Sequence, residues 1–176
     1  FQALISVVKY LADPVEILAS ITFWLMGGLS RVGSDEAIAV SFTTVLGASL
    51  LFFLRWRISL LALGDAEAAS LGVDVRKLRF LVIMTATMMS AATVCVAGIV
   101  GWVGLLVPHM ARASVGLEPG RLMATTFLMG AFFVLAVDDI ARCASAIEIP
   151  LGILTALIGA PFFLFLLMRS GRQTWT

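Results

Sequence analysis

Charge is what this sequence has least of. Of its 176 residues only 13% are Asp, Glu, Lys or Arg, with lysine present twice (Lys9, Lys77) and histidine once (His109). Such scarcity, with a formal net charge of +1, excludes a nucleic-acid partner, which would need a basic stripe. Cys95 and Cys143 sit in or beside apolar segments without CxxC spacing, so they are expected to be buried thiols and not a disulfide or metal site. His109 has no Cys, Asp or Glu at ligand spacing, and no metal is expected there. No GxxxxGK[ST] phosphate loop occurs, so the chain carries no nucleotide-hydrolysing site of its own. An intramembrane hydrolase is also disfavoured. Asp138 and Asp139 are adjacent and face different sides of a helix, leaving no paired carboxylates. No catalytic residue is expected, and no cofactor bound by this chain.

What remains is apolar. Hydrophobic residues make up 61% of the chain, and the mean hydropathy is +1.06, far above a soluble domain. An all-α polytopic transmembrane bundle is expected. The chain opens at Phe1 inside a hydrophobic run, without an initiator Met or a signal-peptide pattern, and reads as a piece of a longer protein.

Breakers and charges divide the apolar sequence. Phe1 to Leu11 reads as the end of a spanning helix. A shorter helix from Val15 to Met26 follows Asp13 and Pro14 and stops at Gly27 and Gly28. Ser34, backed by Asp35 and Glu36, starts a helix whose residues Ala37 to Leu54 approach spanning length. Arg55 to Arg79 is too polar to cross. Phe80 to Ala97 crosses next, Leu122 to Val137 forms a further run extended to Arg142, and Ile149 to Met168 forms the last.

Between them lies GIVGWVGLLVPHMAR, Gly98 to Arg112, with Gly98, Gly101, Gly104, Pro108 and His109 inside apolar sequence. Where lipid offers no hydrogen-bond partner, broken backbone survives only if packed in protein or lining a watery cavity, so this stretch points to a transport pathway. The positive-inside rule decides whether it crosses. Both Arg55 to Arg79 and the Arg169 to Arg172 end are basic, and placing both on the cytoplasmic side requires Ile99 to Ala111 to be a short, kinked crossing. That side then holds Arg55, Arg57, Arg76, Lys77, Arg79, Arg112, Arg121, Arg169 and Arg172, against Lys9, Arg31 and Arg142 opposite. The C-terminus is expected in the cytoplasm. His109 is expected to hydrogen-bond a neighbouring backbone carbonyl, and Gly159, Ala160 and Pro161 to break the final helix. Ala86 with Ser90, and Gly152 with Ala156 and Ala160, form small-residue stripes suited to close helix approach. Met84, Met88 and Met89 read as packing residues in preference to a thioether copper path.

Three blocks, LALGDAEAASLGV (Leu61 to Val73), GIVGWVGLLVPHMAR, and EIPLGILTALIGAPFFLFLL (Glu148 to Leu167), resemble the vitamin B12 and iron-chelate permeases of bacterial ABC importers. WLMGG (Trp24 to Gly28) and VDDIAR (Val137 to Arg142) add to the resemblance, which follows the family's order and spacing over essentially the whole chain. It implies a type II importer permease, with this chain corresponding to about helices five to ten of ten. It also implies a bacterial inner-membrane location amid lipid and a second permease copy, identical or closely related. Two ATPase subunits would bind ATP and magnesium, and a periplasmic or lipid-anchored binding protein would deliver the substrate. That substrate would be a metal chelate such as a ferric siderophore, haem or cobalamin, or an oxyanion.

On this resemblance the cytoplasmic loop within residues 55–79 docks on the ATPase through Leu63, Gly64, Asp65, Ala66, Glu67, Ala68, Ser70, Leu71 and Gly72. From the residues alone, Leu60, Leu61, Leu63 and Leu71 are apolar anchors, Gly64 and Gly72 are breakers, and Asp65 and Glu67 suit a helix first turn. An ordinary solvated loop is the plainer reading. Arg142 and Glu148 would meet the binding protein, although Arg142 can also pair with Asp138 four residues earlier, and Asp139 could neutralise it. The kink and pathway set is Gly98, Gly101, Gly104, Pro108, His109, Gly159 and Pro161. An ion-coupled secondary transporter using Asp138, Asp139 and Arg142 is the competing function.

Overall fold

The computed structural model describes residues 1–14, 16–144 and 149–170, and within them the regular structure is entirely helical. The helices are α1 (Gln2–Leu11), α2 (Ile17–Met26), α3 (Ser34–Phe53), α4 (Arg55–Leu61), α5 (Asp65–Ser70), α6 (Val75–Ala97), α7 (Val103–Val115), α8 (Pro119–Cys143) and α9 (Leu151–Ser170). Val15, expected to open α2, and Glu148, Gly171 and Arg172 lie outside the described residues.

Among the described residues three helices, α3, α6 and α8, are long and apolar enough to cross a membrane. At 1.5 Å per residue the 23 residues of α6 extend roughly 35 Å, more than a hydrocarbon core of ~30 Å. The chain is membrane-embedded. Its exterior agrees: Phe42, Leu46, Phe80, Met88, Leu128 and Phe132 are all exposed, an arrangement that needs lipid or protein neighbours instead of water.

Local chemistry sets the helix starts. Glu36 accepts the Gly33 N–H at 2.6 Å, and Asp35 and Glu36 place negative charge in the first turn of α3. Asp74 accepts the Lys77 N–H at 3.0 Å and starts α6 at Val75, ahead of the expected Phe80. Arg76, Lys77 and Arg79 therefore ride on the first turns of a spanning helix. α7 has 13 residues; at roughly 20 Å it is shorter than the hydrocarbon core, so a crossing by this segment also needs the irregular residues 98–102.

The final helix corrects an expectation. Gly159, Ala160 and Pro161 do not break α9, which is helical from Leu151 to Ser170. One proline removes a single donor, a loss that a helix packed among others absorbs without unwinding.

The chain divides into two compact units, one of Phe1–Arg31, Ala97–Trp102 and Ala136–Thr176, the other of Val32–Val96 and Val103–Leu135. The core of the first includes Ala97, Val137, Ala141, Leu151 and Thr155; that of the second includes Ala68, Leu78, Leu106, Val107 and Ala111. In the second, Gly47 of α3 lies against Met89, the packing role expected of that methionine. Ala86 and Ser90, by contrast, are exposed, so their stripe is not buried. Cys95 and Cys143 are also exposed and form no disulfide, where buried thiols were expected, because they lie on outward faces of α6 and α8.

Candidate functional site

In the second unit, the segment from Arg55 to Arg79 folds as two short helices and the base of α6. Gly64 at φ +114° and Gly72 at φ +82° turn the backbone where a side chain would be strained, and α5 lies between them. Asp65 and Glu67 occupy its first turn, as the sequence indicated. Ala68 is fully buried and anchors α5, while its carbonyl accepts the Val73 N–H at 3.1 Å. Ser70 Oγ donates to the Glu67 carbonyl at 2.8 Å. Leu63 and Leu71 point outward, 60% and 59% exposed, as free apolar knobs. Beneath them lies a recess of about 440 Å³ bordered by Leu60, Leu71, Gly72, Val73, Lys77 and Leu78.

A fork of two hydrogen bonds braces this segment. Arg79 Nη2 donates to Asp65 Oδ1 at 2.8 Å, and Nη1 to Oδ2 at 3.3 Å. A guanidinium meeting a carboxylate at two points sets orientation as well as distance, so the fork favours one setting of α5 against α6. Helical spacing could not have found this pair. At the same base, the Lys77 N–H and then its ammonium, 3.0 Å away, hold the Asp74 carboxyl below its ordinary value of 3.8.

In the first unit, Arg142 Nε donates to Asp138 Oδ2 at 2.8 Å. The Asp138 side chain is only 13% exposed and that of Arg142 46%, so the pair carries its anionic end inward and its cationic end toward the surface. Asp139 is exposed on another face, and Asp138 is a carboxylate that Arg142 bonds. Nearby, the Arg31 guanidinium stacks 4.4 Å from the Phe23 ring centroid.

The breaker-rich stretch is tied down by backbone. Gly28 N–H donates to the Ala97 carbonyl at 2.9 Å, Ile99 N–H to Trp24 at 3.2 Å, and Leu151 N–H to Gly27 at 3.0 Å. Three pieces, the end of α2, residues 97–99 and the start of α9, thus share their unsatisfied polar groups, as broken backbone away from water requires. Glycine permits the approach. A Cβ on Gly98, at φ +70°, would strike the Trp24 carbonyl; one on Gly27 would lie 2.6 Å from the Ile99 oxygen; one on Gly152 would meet the Met26 carbonyl. Gly159 admits the Trp102 side chain, to which a Cβ would come within 2.7 Å. Trp102 itself stands at φ +68°, the one non-glycine with positive φ among the described residues and a feature the sequence did not signal. An open groove of about 510 Å³ runs beside it, bordered by Met26, Ile99, Gly101, Gly152 and Ala156.

The expected kink set is therefore not one cluster. Gly98 and Gly159 make close contacts, whereas Cβ atoms on Gly101 and Gly104 would meet open space. Pro108 lies inside α7. His109 is exposed and makes no hydrogen bond among the described residues, contrary to expectation. No group of three or more potential metal ligands occurs among the described residues.

Against this geometry stand the comparisons with known proteins. A profile of the FecCD transport family matches residues 1–169. The chain is 42% identical over 172 residues to a molybdate import system permease protein of Haemophilus influenzae, covering 98% of this chain and 51% of that protein. It is 40% identical over 169 residues to a probable iron chelatin transport system permease protein of Helicobacter pylori (96% and 52%). A hemin transport system permease protein of Yersinia pestis is 35% identical over 173 residues (97% and 51%). The chain spans about half the length of the curated relatives it matches. In three dimensions it superposes on a solved inward-facing metal-chelate type ABC transporter with a TM-score of 0.91 at 42% identity, covering 96% of this chain and 55% of that one.

Proposed function

The chain belongs to the FecCD transport family, and from that premise we propose that it is about half of the transmembrane permease subunit of an ATP-driven importer for a metal chelate, such as a ferric siderophore, haem or cobalamin. The full permease acts in the bacterial inner membrane with a second permease copy, two ATPase subunits and a substrate-binding protein. ATP and magnesium belong to the ATPase, and this chain supplies no catalytic group.

The observation that carries the reading is the braced segment at the base of α6. A lever that passes force from an ATPase to a spanning helix must be stiff and must expose a surface for the motor. The Asp65–Arg79 fork supplies stiffness, and Leu63 and Leu71 supply the surface. Residues 55–79 and the C-terminus face the cytoplasm in this scheme. Gly98 to Arg112 is the kinked crossing, and Arg142, paired with Asp138, lies on the opposite side as the contact for a binding protein. Glu148, the companion expected at that contact, lies outside the described residues.

The test is uptake by the full-length permease assembled with its ATPase and binding protein in proteoliposomes. Uptake that requires ATP, persists with a proton ionophore, and falls when Asp65 and Glu67 are both replaced by alanine supports the reading. Uptake indifferent to ATP and abolished by the ionophore would instead establish the ion-coupled alternative through Asp138, Asp139 and Arg142. Labelling of an Ala66→Cys variant in a background with Cys95 and Cys143 replaced by serine, by an impermeant reagent from outside intact cells, would overturn the orientation.

A further inference from the structure

One cavity of the second unit lies outside the docking residues Leu63 to Gly72. The end of α3, the start of α4 and the first turn of α8 enclose a recess of about 690 Å³, bordered by Phe52, Arg55, Trp56, Glu118, Gly120 and Arg121. Its size falls in the range of small-ligand sites, ~300–1,000 Å³. Arg55 stacks 4.3 Å from the Phe52 ring centroid and reaches across to α8, where a Cβ on Gly120 would lie 3.4 Å from Arg55 Nη1. Among the described residues Arg55 has no carboxylate partner. Arg121 pairs with Glu118, its Nε 2.9 Å from Oε2, and among the described residues Glu118 is the one carboxylate bordering the recess. Two guanidinium groups against one carboxylate leave the recess net positive.

The surroundings select the occupant. The recess lies at the ends of α3 and α8, both of spanning length, and their exposed apolar side chains Phe53, Leu128 and Phe132 belong to the same two helices. Trp56 is 74% exposed beside the arginines, the amphipathic side chain enriched at the membrane–water boundary. A soluble anion would use the guanidinium groups alone, whereas a phospholipid uses both the charge and the adjoining apolar helix faces. Guanidinium groups pair with phosphate at two points, and basic recesses between spanning helices suit anionic headgroups. We propose that this recess binds the phosphate headgroup of an anionic phospholipid, held by Arg55 and Arg121 with Trp56 at the boundary. The proposal depends on membrane embedding and not on the importer reading.

The experiment is native mass spectrometry of the full-length permease released from vesicles of equal phosphatidylglycerol and phosphatidylcholine content. Phosphatidylglycerol is expected to remain bound in several-fold excess. That excess should vanish in the Arg55→Gln/Arg121→Gln variant and persist in Arg76→Gln, which removes a charge elsewhere. If the double variant does not fold, Arg55→Gln alone should lower the excess, while Arg55→Lys/Arg121→Lys, which keeps the charge, should retain most of it. Equal retention of the two lipids, an excess that survives loss of both arginines, or an equal loss in Arg76→Gln overturns the proposal. Displacement of the lipid by equimolar glycerol phosphate would overturn it as well, in favour of a free-anion site.

Discussion

Two interruptions of the helical pattern, at residues 98–102 and at residues 62–74, are built from different materials. The first is held by backbone hydrogen bonds between segments far apart in sequence, at separations only glycine permits. The second is held by exposed charged side chains, the Asp65–Arg79 fork and the Asp74–Lys77 pair. Broken backbone within an apolar stretch must find partners in protein, and those partners cannot be exchanged without moving a chain. Charged side chains in an exposed segment can be swapped or loosened at small cost. The first interruption should therefore fail through folding and, on the proposed function, the second through coupling.

The largest expected effect sharpens that contrast. Gly98→Ala adds a Cβ against the Trp24 carbonyl at a positive φ, and neither backbone can yield easily. It should cost about 2–4 kcal/mol, read as a clear fall in the unfolding temperature and yield of the detergent-extracted full-length protein. An unchanged unfolding temperature would show that this junction is loose. Gly159→Ala follows at about 1–3 kcal/mol, because its Cβ would press on a Trp102 already held at φ +68°. Combining it with Trp102→Gly, which removes both the collision and the strained side chain, should cost less than the two single changes added together. Additive losses would mean that the two positions act independently.

Changes at the braced segment should leave folding nearly intact. With side chains 53% and 61% exposed, the Arg79–Asp65 pair contributes no more than about 1 kcal/mol, so Arg79→Gln should barely move the unfolding temperature. ATP-driven uptake should nevertheless fall several-fold while ATP hydrolysis continues. The exchanged pair Asp65→Arg/Arg79→Asp should recover part of the uptake. If uptake falls only in proportion to lost stability, the brace is merely structural and the contrast between the two regions collapses.

What the sequence disclosed, and what it hid, follows the same division. Apolar run length and breakers located α3, α6 and α8 and the irregular stretch before α7, because each depends on residues near in sequence. The helical spacing of Asp138 and Arg142 likewise offered their ion pair as one reading of Arg142, and the pair is present. The Asp65–Arg79 fork joins residues fourteen apart across a turn, a distance that no helical repeat marks. The φ of Trp102 is equally nonlocal, since the tryptophan packs on Gly159 of another helix. Gly159 and Pro161 promised a break that α9 does not have, because a single missing donor is a local signal that packing overrides.

The smallest effect tests the braced region alone. The Lys77 N–H and ammonium favour the charged Asp74 carboxylate, so its folded pKa lies below the ordinary 3.8. A depressed carboxylate pKa contributes stability that is complete above the ordinary value and is lost as pH falls through the lower folded value. Asp74→Asn keeps an oxygen for the Lys77 N–H but gives up the charge, so it should unfold at a slightly lower temperature at neutral pH. The gap to the natural protein should close as pH drops below 3.8. A gap that widened on acidification would mean that the carboxylate is destabilised by the fold. The first turn of α6 would then be held by something other than the contacts seen at Asp74.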